Sequence, residues 1–259
     1  MKPEISILMP GIRPERWTSV YSSILESTKR EFELIIVGPY ALPKELQEAK
    51  NVRYCKDFGT PMRAANIAGV LAEGKLIFSL MSDDSIFMPN VLDKAIDYLY
   101  EQEFSIKNAV MAFYKEGKDG TDKDIQSLEY FKINGSDSTK IYDVPNDWLI
   151  FNTVILYREF FDQLGGWDCS FEACPMGLTD FAIRAQKEGA KVFHIEDIIL
   201  DCDHMPGTTG DHAPIHYGQI QHDEPFYKLK YSGGLEGINP CINIDNWKKA
   251  DSVWSRRFK

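Results

Sequence analysis

The first hundred residues alternate short apolar runs with amphipathic stretches. Ile5–Met9 is apolar-rich and ends at Pro10-Gly11, the pattern of a strand covered on both faces. Phe32–Val37 repeats it and closes at Gly38-Pro39; Val52–Tyr54 is a short third strand and Leu76–Leu80 a fourth. Between them, Trp17–Glu26 carries Val20, Tyr21, Ile24 and Leu25 at helical spacing. Thr60-Pro61 supplies a cap and a first-turn proline for a helix running to Glu73, with Gly74 as its stop. Pro89–Tyr100 reads as a further helix. Strands alternating with helices predict βαβ units and a mainly parallel sheet, which binds ligands at the carboxyl ends of its strands. The loops after Met9, Val37, Tyr54 and Leu80 are therefore the ones to search.

The pattern then changes. Residues 115–140 hold Lys-Glu-Gly-Lys-Asp-Gly and Asn-Gly-Ser-Asp-Ser, which predict a surface loop or a hairpin. Leu149–Tyr157 predicts a strand, followed by a helix ending before Gly165-Gly166-Trp167. Phe181–Glu188 predicts a helix stopped by Gly189, and Val192–His194 and Ile198–Cys202 predict closing strands. Residues 206–235, rich in Gly, Thr, His and Tyr, predict a long loop of the kind that closes over a ligand. In Asn243–Phe258, Ile244, Trp247, Trp254 and Phe258 fall near one helical side, surrounded by Lys248, Lys249, Arg256, Arg257 and Lys259. Such an end packs its tryptophans back on the domain or touches a membrane surface. No composition break marks a linker and no repeat is visible, so one mixed α/β domain is expected.

Composition narrows the function classes. The 259 residues are 44% hydrophobic and 26% charged, the balance of a soluble globular chain. Lys and Arg number 29 against 39 acids, a net charge of −10 that repels a nucleic-acid backbone. A nucleotide held through a divalent metal stays open. No apolar run approaches the roughly 18 residues of a spanning helix, and the N-terminus lacks the apolar stretch of a secretory signal. The five cysteines (55, 169, 174, 202, 241) are odd in number and irregular in spacing, as free thiols of a cytoplasmic protein would be. Cys169 and Cys174 do not have the short paired spacings of a zinc knuckle.

Chemistry concentrates in a few places. Asp83-Asp84 stands just beyond the fourth strand, where such carboxylates either take Mg²⁺ or Mn²⁺ or cap the next helix. Arg13 and Arg63 lie near the same loops, and their guanidinium forks match phosphate oxygens. Four of the five histidines (204, 212, 216, 222) crowd together late in the chain, and Pro214 argues against His212 and His216 sharing a helical face.

The ordered set Gly59-Thr-Pro-Met-Arg63-Ala-Ala-Asn66-Ile-Ala-Gly69, Glu73-Gly74 and Asp83-Asp84, preceded by Ile5-Ser-Ile-Leu-Met-Pro10, resembles the nucleotide half of family-2-like glycosyltransferases. Gly165-Gly166-Trp167-Asp168, Glu172 and Gly177-Leu-Thr-Asp180-Phe-Ala-Ile-Arg184 resemble that family's acceptor side. The resemblance implies a single GT-A-like domain over residues 1–205, with a central sheet flanked by helices. Within it, 1–105 would form the nucleotide-sugar half and 106–205 the acceptor half. Residues 206–259 would form a C-terminal loop and amphipathic helix packed on the domain.

It also implies a metal-dependent, inverting enzyme using Mn²⁺ or Mg²⁺ and a nucleotide-sugar donor, UDP by default. The acceptor would be a glycan or lipid-linked hydroxyl. Pro10, Gly11, Arg13, Arg63, Asn66, Asp83 and Asp84 would meet the donor, and Asp83 with His204 the metal. Asp180, expected at a helix start that keeps a carboxylate ionised, would be the general base. Glu172 and Asp168 stand in reserve, Asp168 more naturally tying its glycine turn.

Three departures from the family pattern matter. Met81 replaces an aspartate two positions before Asp83, Gly38-Pro39-Tyr40 replaces an aspartate after the second strand, and Gly177-Leu178 replaces a Glu-Asp pair. Tyr40 would then stack on a base or simply occupy a surface turn. The departures keep open a non-catalytic nucleotide- or carbohydrate-binding module. A sugar nucleotidyltransferase would want a glycine-rich basic loop after the first strand, and Met9-Pro-Gly-Ile-Arg-Pro14 offers one glycine and one arginine.

Overall fold

All residues of the first two strands, β1 (Ile5–Pro10) and β2 (Phe32–Gly38), are buried, because helices and loops cover both faces of the sheet they belong to. The computed structural model describes residues 2–80, 82–203 and 208–258. Between and after these strands lie α1 (Pro14–Ser27), α2 (Lys44–Gln47), β3 (Val52–Lys56), α3 (Pro61–Leu71), β4 (Leu76–Ser79), β5 (Ser85–Phe87) and α4 (Val91–Glu101). The second half adds β6 (Asn108–Gly117), β7 (Asp124–Ile125), β8 (Val154–Tyr157), α5 (Arg158–Leu164), α6 (Cys174–Lys187) and β9 (Lys191–Asp203). Two short helices follow, α7 (Ala213–Gly218) and α8 (Glu224–Lys230).

One sheet runs β3-β2-β1-β4-β8-β6-β9-β5, with β7 pairing β6. Its first four strands are parallel, as the βαβ pattern predicts. Beyond β4 the sheet is mixed, because β8 runs antiparallel to both β4 and β6. The domain is thus α/β with a parallel N-terminal half rather than a mainly parallel sheet throughout. Helix α3 lies across β1 and β2, α1 packs on β5, and α4 packs on β6 and β9. Thr60 caps α3 by accepting the Arg63 N–H at 3.1 Å. The helix stops at Leu71, and Gly74 serves another purpose. A Cβ there would lie 2.7 Å from the backbone nitrogen of Ser6, so glycine lets the chain enter β4 against β1.

Several expectations change in the second half. The run 108–114, to which the pattern assigns no strand, forms most of β6, and β7 folds back on it with Lys115 opposite Ile125. The strand expected at Leu149–Tyr157 is confined to Val154–Tyr157. The two closing strands are one 13-residue strand, β9, whose register against β6 shifts at Phe113 as a bulge would shift it. Residues 210–230 are helical rather than looped, through α7, a π-helical turn at Gln219–Asp223 and α8. Pro214 opens α7 instead of breaking it, since a first-turn residue has no intrahelical N–H bond to lose. The amphipathic helix at 243–258 is reduced to a 3₁₀ turn, Ile244–Lys248, yet Trp254 is buried against the domain. No helix among the described residues is long and apolar enough to cross a membrane.

Candidate active site

The carboxyl ends of β1 to β4, and those of β6 and β9, surround a cavity of about 640 Å³, within the usual size of small-molecule sites. Pro10, Gly11 and Arg13 enter it from the turn after β1, Gly38 and Pro39 from that after β2, and Asp57 from that after β3. Ser82 and Asp83 follow β4, while Tyr114 and Glu116 face it from β6. His212, His216 and Arg257 close the remaining side from the C-terminal region. Two glycines let the first loops meet. A Cβ on Gly38 would stand 1.9 Å from the Gly11 carbonyl oxygen, and one on Gly11 would stand 2.8 Å from the Trp17 ring.

Asp83 organises this wall. Its Oδ2 accepts the backbone N–H groups of Ile12 and Arg13, each at 2.6 Å, and the Trp17 indole N–H at 2.8 Å. Its Oδ1 accepts Arg13 Nη1 at 2.6 Å. Arg13 reaches further, donating from Nε to Asp211 Oδ2 at 2.8 Å, with Nη2 3.7 Å from Asp84 Oδ2. The same Nη2 lies 3.4 Å from His212 Nε2. Burial alone would depress the Arg13 pKa, but Asp83 and Asp84 outweigh it and hold the guanidinium above its ordinary value. Asp84 accepts the Ser82 hydroxyl at 2.5 Å.

The metal expectation meets a different geometry. Asp83 engages both oxygens with four N–H donors, one of them a cation. No group of three or more His, Cys, Asp or Glu side chains fit to hold a metal occurs among the described residues. His204 lies outside the described residues. Among the described residues Asp83 therefore serves as a hydrogen-bond hub rather than as a member of a metal cluster.

The other predicted residues hold the domain together instead of lining the cavity. Asp180 sits two turns into α6, not at its start, because Pro175 in the first turn begins the helix earlier than Phe181. Its carboxylate is 0% exposed and accepts Arg184 Nε at 2.8 Å and the Tyr231 hydroxyl at 2.8 Å, with Lys230 Nζ at 2.5 Å. Asp223 occupies the helix start in its place, accepting the N–H groups of Glu172 and Ala173 at 2.8 and 2.7 Å. Burial raises the Asp223 pKa despite those bonds and His222. Glu172 accepts the Trp254 indole N–H at 3.1 Å and Arg256 Nε at 2.5 Å, which fastens the C-terminal segment.

Arg63 forks onto Asp57 and donates to the Trp247 and Ala250 carbonyls. Asn66 donates to the Ile244 carbonyl and accepts the Trp167 N–H, both at 3.0 Å. Close approach explains the neighbouring glycine pair: Gly165 and Gly166 have φ of +79° and +70°, and a Cβ on Gly166 would lie 2.1 Å from Asn66 Oδ1. Asp168 accepts the Ser170 N–H at 2.9 Å, and Lys230 donates to it at 2.8 Å. Burial would raise the Asp168 pKa, but Lys230 and Ser170 bring it below the ordinary value.

Tyr40 is 48% exposed and stands off the cavity wall. The five cysteines are unpaired, and burial pushes the Cys169 and Cys174 thiols up to about 12, away from the thiolate form. The sequence had not singled out Asp57, Tyr114, Glu116, Asp211 or Arg257 for this wall. Asp57 alone carries a sequence signal, since it follows directly on the end of β3.

No family model and no curated protein matches the sequence. Solved structures do match the fold. TarS of S. aureus, a glycosyltransferase, superposes with a TM-score of 0.57 over 88% of this chain at 15% identity. The fold is GT-A. This GT-A chain spans 42% of the length of TarS. The catalytic domain of Drosophila beta1,4-galactosyltransferase 7, solved with xylobiose, matches over 98% of this chain and 82% of its own, at 11% identity and a TM-score of 0.47.

Proposed function

We propose that this GT-A domain is a glycosyltransferase that moves a sugar from a nucleotide-sugar donor to a hydroxyl of a glycan or other acceptor. The observation that carries this reading is the cavity at the carboxyl ends of β1 to β4, where the Asp83 hub presents Arg13. A nucleoside fits the side formed by Gly11, Gly38, Pro39 and Asp57, with UDP the default nucleotide. The diphosphate then comes to Arg13, and the acceptor to the β6 side at Tyr114 and Glu116. Transfer needs positive groups where the diphosphate departs, which Arg13 supplies, and a group that takes the acceptor's proton. Asp180 enters this reading as the residue that positions α6 rather than as the base of an inverting reaction. No step is assigned to a metal. The donor half would be 1–105 and the acceptor half 106–205, with residues 208–258 crossing both.

One observation favours a second reading, a binding module without transfer: Asp180 and Glu172 are both committed to internal cations. Incubating the protein with a nucleotide-sugar panel and hydroxyl acceptors, with Mn²⁺ and separately with EDTA, separates the two. Release of nucleoside diphosphate with sugar transfer is expected. Donor binding without turnover would select the binding module, and neither binding nor turnover would overturn both.

A further inference from the structure

The C-terminal segment brings a second guanidinium to the cavity. Trp254 donates its backbone N–H to the Phe58 carbonyl at 2.8 Å, and the Phe58 and Phe258 rings meet edge to face at 5.5 Å, which fixes the segment beside the loop after β3. Trp254 and Arg256 fix its other side to Glu172, just before α6. Suspended between these anchors, Arg257 lines the cavity with Arg13. The two guanidinium groups share one residue: Arg13 donates to the Asp211 carboxylate and Arg257 to the Asp211 backbone carbonyl. Arg13 is matched by carboxylates, whereas Arg257 makes no salt bridge among the described residues. Burial depresses its pKa and Arg13 adds to the effect, against Asp211. A desolvated cation facing a cavity, repelled by a like charge beside it, is a receptor for an anion.

We propose that Arg257 and Arg13 hold the diphosphate of the donor between them, so that the C-terminal segment is part of the donor site. This rests on the nucleotide-sugar reading above and names a residue that the reading did not require. Diphosphate is preferred to an anionic acceptor because Arg13 stands at the end of β1, beside Gly11 and the nucleoside side of the cavity.

Calorimetry with UDP, GDP, uridine and pyrophosphate, in EDTA and in Mn²⁺, tests it on wild type, R257Q, R257K and the distant surface variant K248Q. Loss of a charge-assisted bond predicts that R257Q binds the preferred diphosphate about tenfold or more weakly in both buffers. Nucleoside binding should stay unchanged, with R257K intermediate and K248Q like wild type. Should R257Q fail to fold, R257K and the wild-type response to pyrophosphate still decide. Unchanged diphosphate affinity in folded R257Q, or no pyrophosphate binding by wild type, overturns the proposal. Equal loss of diphosphate and nucleoside also overturns it, because that marks a merely structural role. Folded wild type that binds none of the nucleoside diphosphates in either buffer overturns the donor reading itself.

Discussion

The protein contains two aspartate–arginine centres of similar chemistry and opposite setting. At Asp180–Arg184 both side chains are 0% exposed, and every visible bond turns inward, to Lys230, Tyr231 and the carbonyls of Leu164, Gly166 and Pro240. At Arg13–Asp83 the carboxylate is equally buried, but the guanidinium is 11% exposed and stands on the cavity wall. The first centre has no approach for a substrate, so its charges specify how α6, α8 and the glycine turn fit together. The second is a pinned carboxylate that aims a cation at open space. Burial of the partner, not the identity of the pair, separates a structural centre from a site.

Breaking the closed centre should have the largest effect. Arg184→Met leaves Asp180 with a deficient set of partners in a dry environment, and removing one member of a buried pair costs about 3–5 kcal/mol. Urea unfolding measures it; a loss below about 1 kcal/mol, the ordinary scale of a surface change, would deny the centre its structural role. Asp180→Asn sharpens the contrast. It should cost on the order of 2 kcal/mol, the scale of bonds to charged groups, while turnover per folded molecule stays within a few-fold. A fall of about 10³ with intact folding, the size expected of a lost general base, would restore Asp180 as catalytic.

Asp83→Asn should reverse that balance. It weakens the anchor of Arg13 and the 10–13 turn, costing about 1–3 kcal/mol of stability. Nucleoside diphosphate affinity should fall by at least the tenfold expected for Arg257, measured by calorimetry; unchanged affinity would detach the acid loop from the proposed donor site. The smallest effect is a pH dependence. The Asp168 pKa is depressed below its ordinary 3.8, by Lys230 and Ser170 against burial. Its contribution is therefore complete above pH 3.8 and is lost as pH falls through the lower folded value. Wild type and Asp168→Asn should converge in urea stability as the pH drops below that point, and a gap that stayed constant would break the assignment.

Much of the parallel half was legible along the chain. Apolar-rich runs mark β1, β2 and β4, the first two closed by Pro or Gly, because strands covered on both faces need apolar residues at most positions. Thr60-Pro61 marks the start of α3 for a local reason, a side-chain cap and a proline needing no N–H partner. β6 escaped because its ten residues lead without a break into a charged hairpin. The helical stretch after 210 escaped because Pro214 and its glycines suggest a loop unless the proline is known to sit in a first turn.

The sequence by itself determined the parallel βαβ order and the placement of an acidic loop at the carboxyl end of β4. Both follow from patterns within a dozen residues. Only the tertiary structure decided which acids face the cavity. Asp180 and Arg184 are four residues apart, yet their meaning depended on α8 closing over them. Asp83 and Arg13 are 70 residues apart, and Arg257 comes from the far end of the chain, so no local spacing signals that they share a wall. A charge acquires its role from what desolvates it and what it is left facing, and in this fold both are set by contacts distant in sequence.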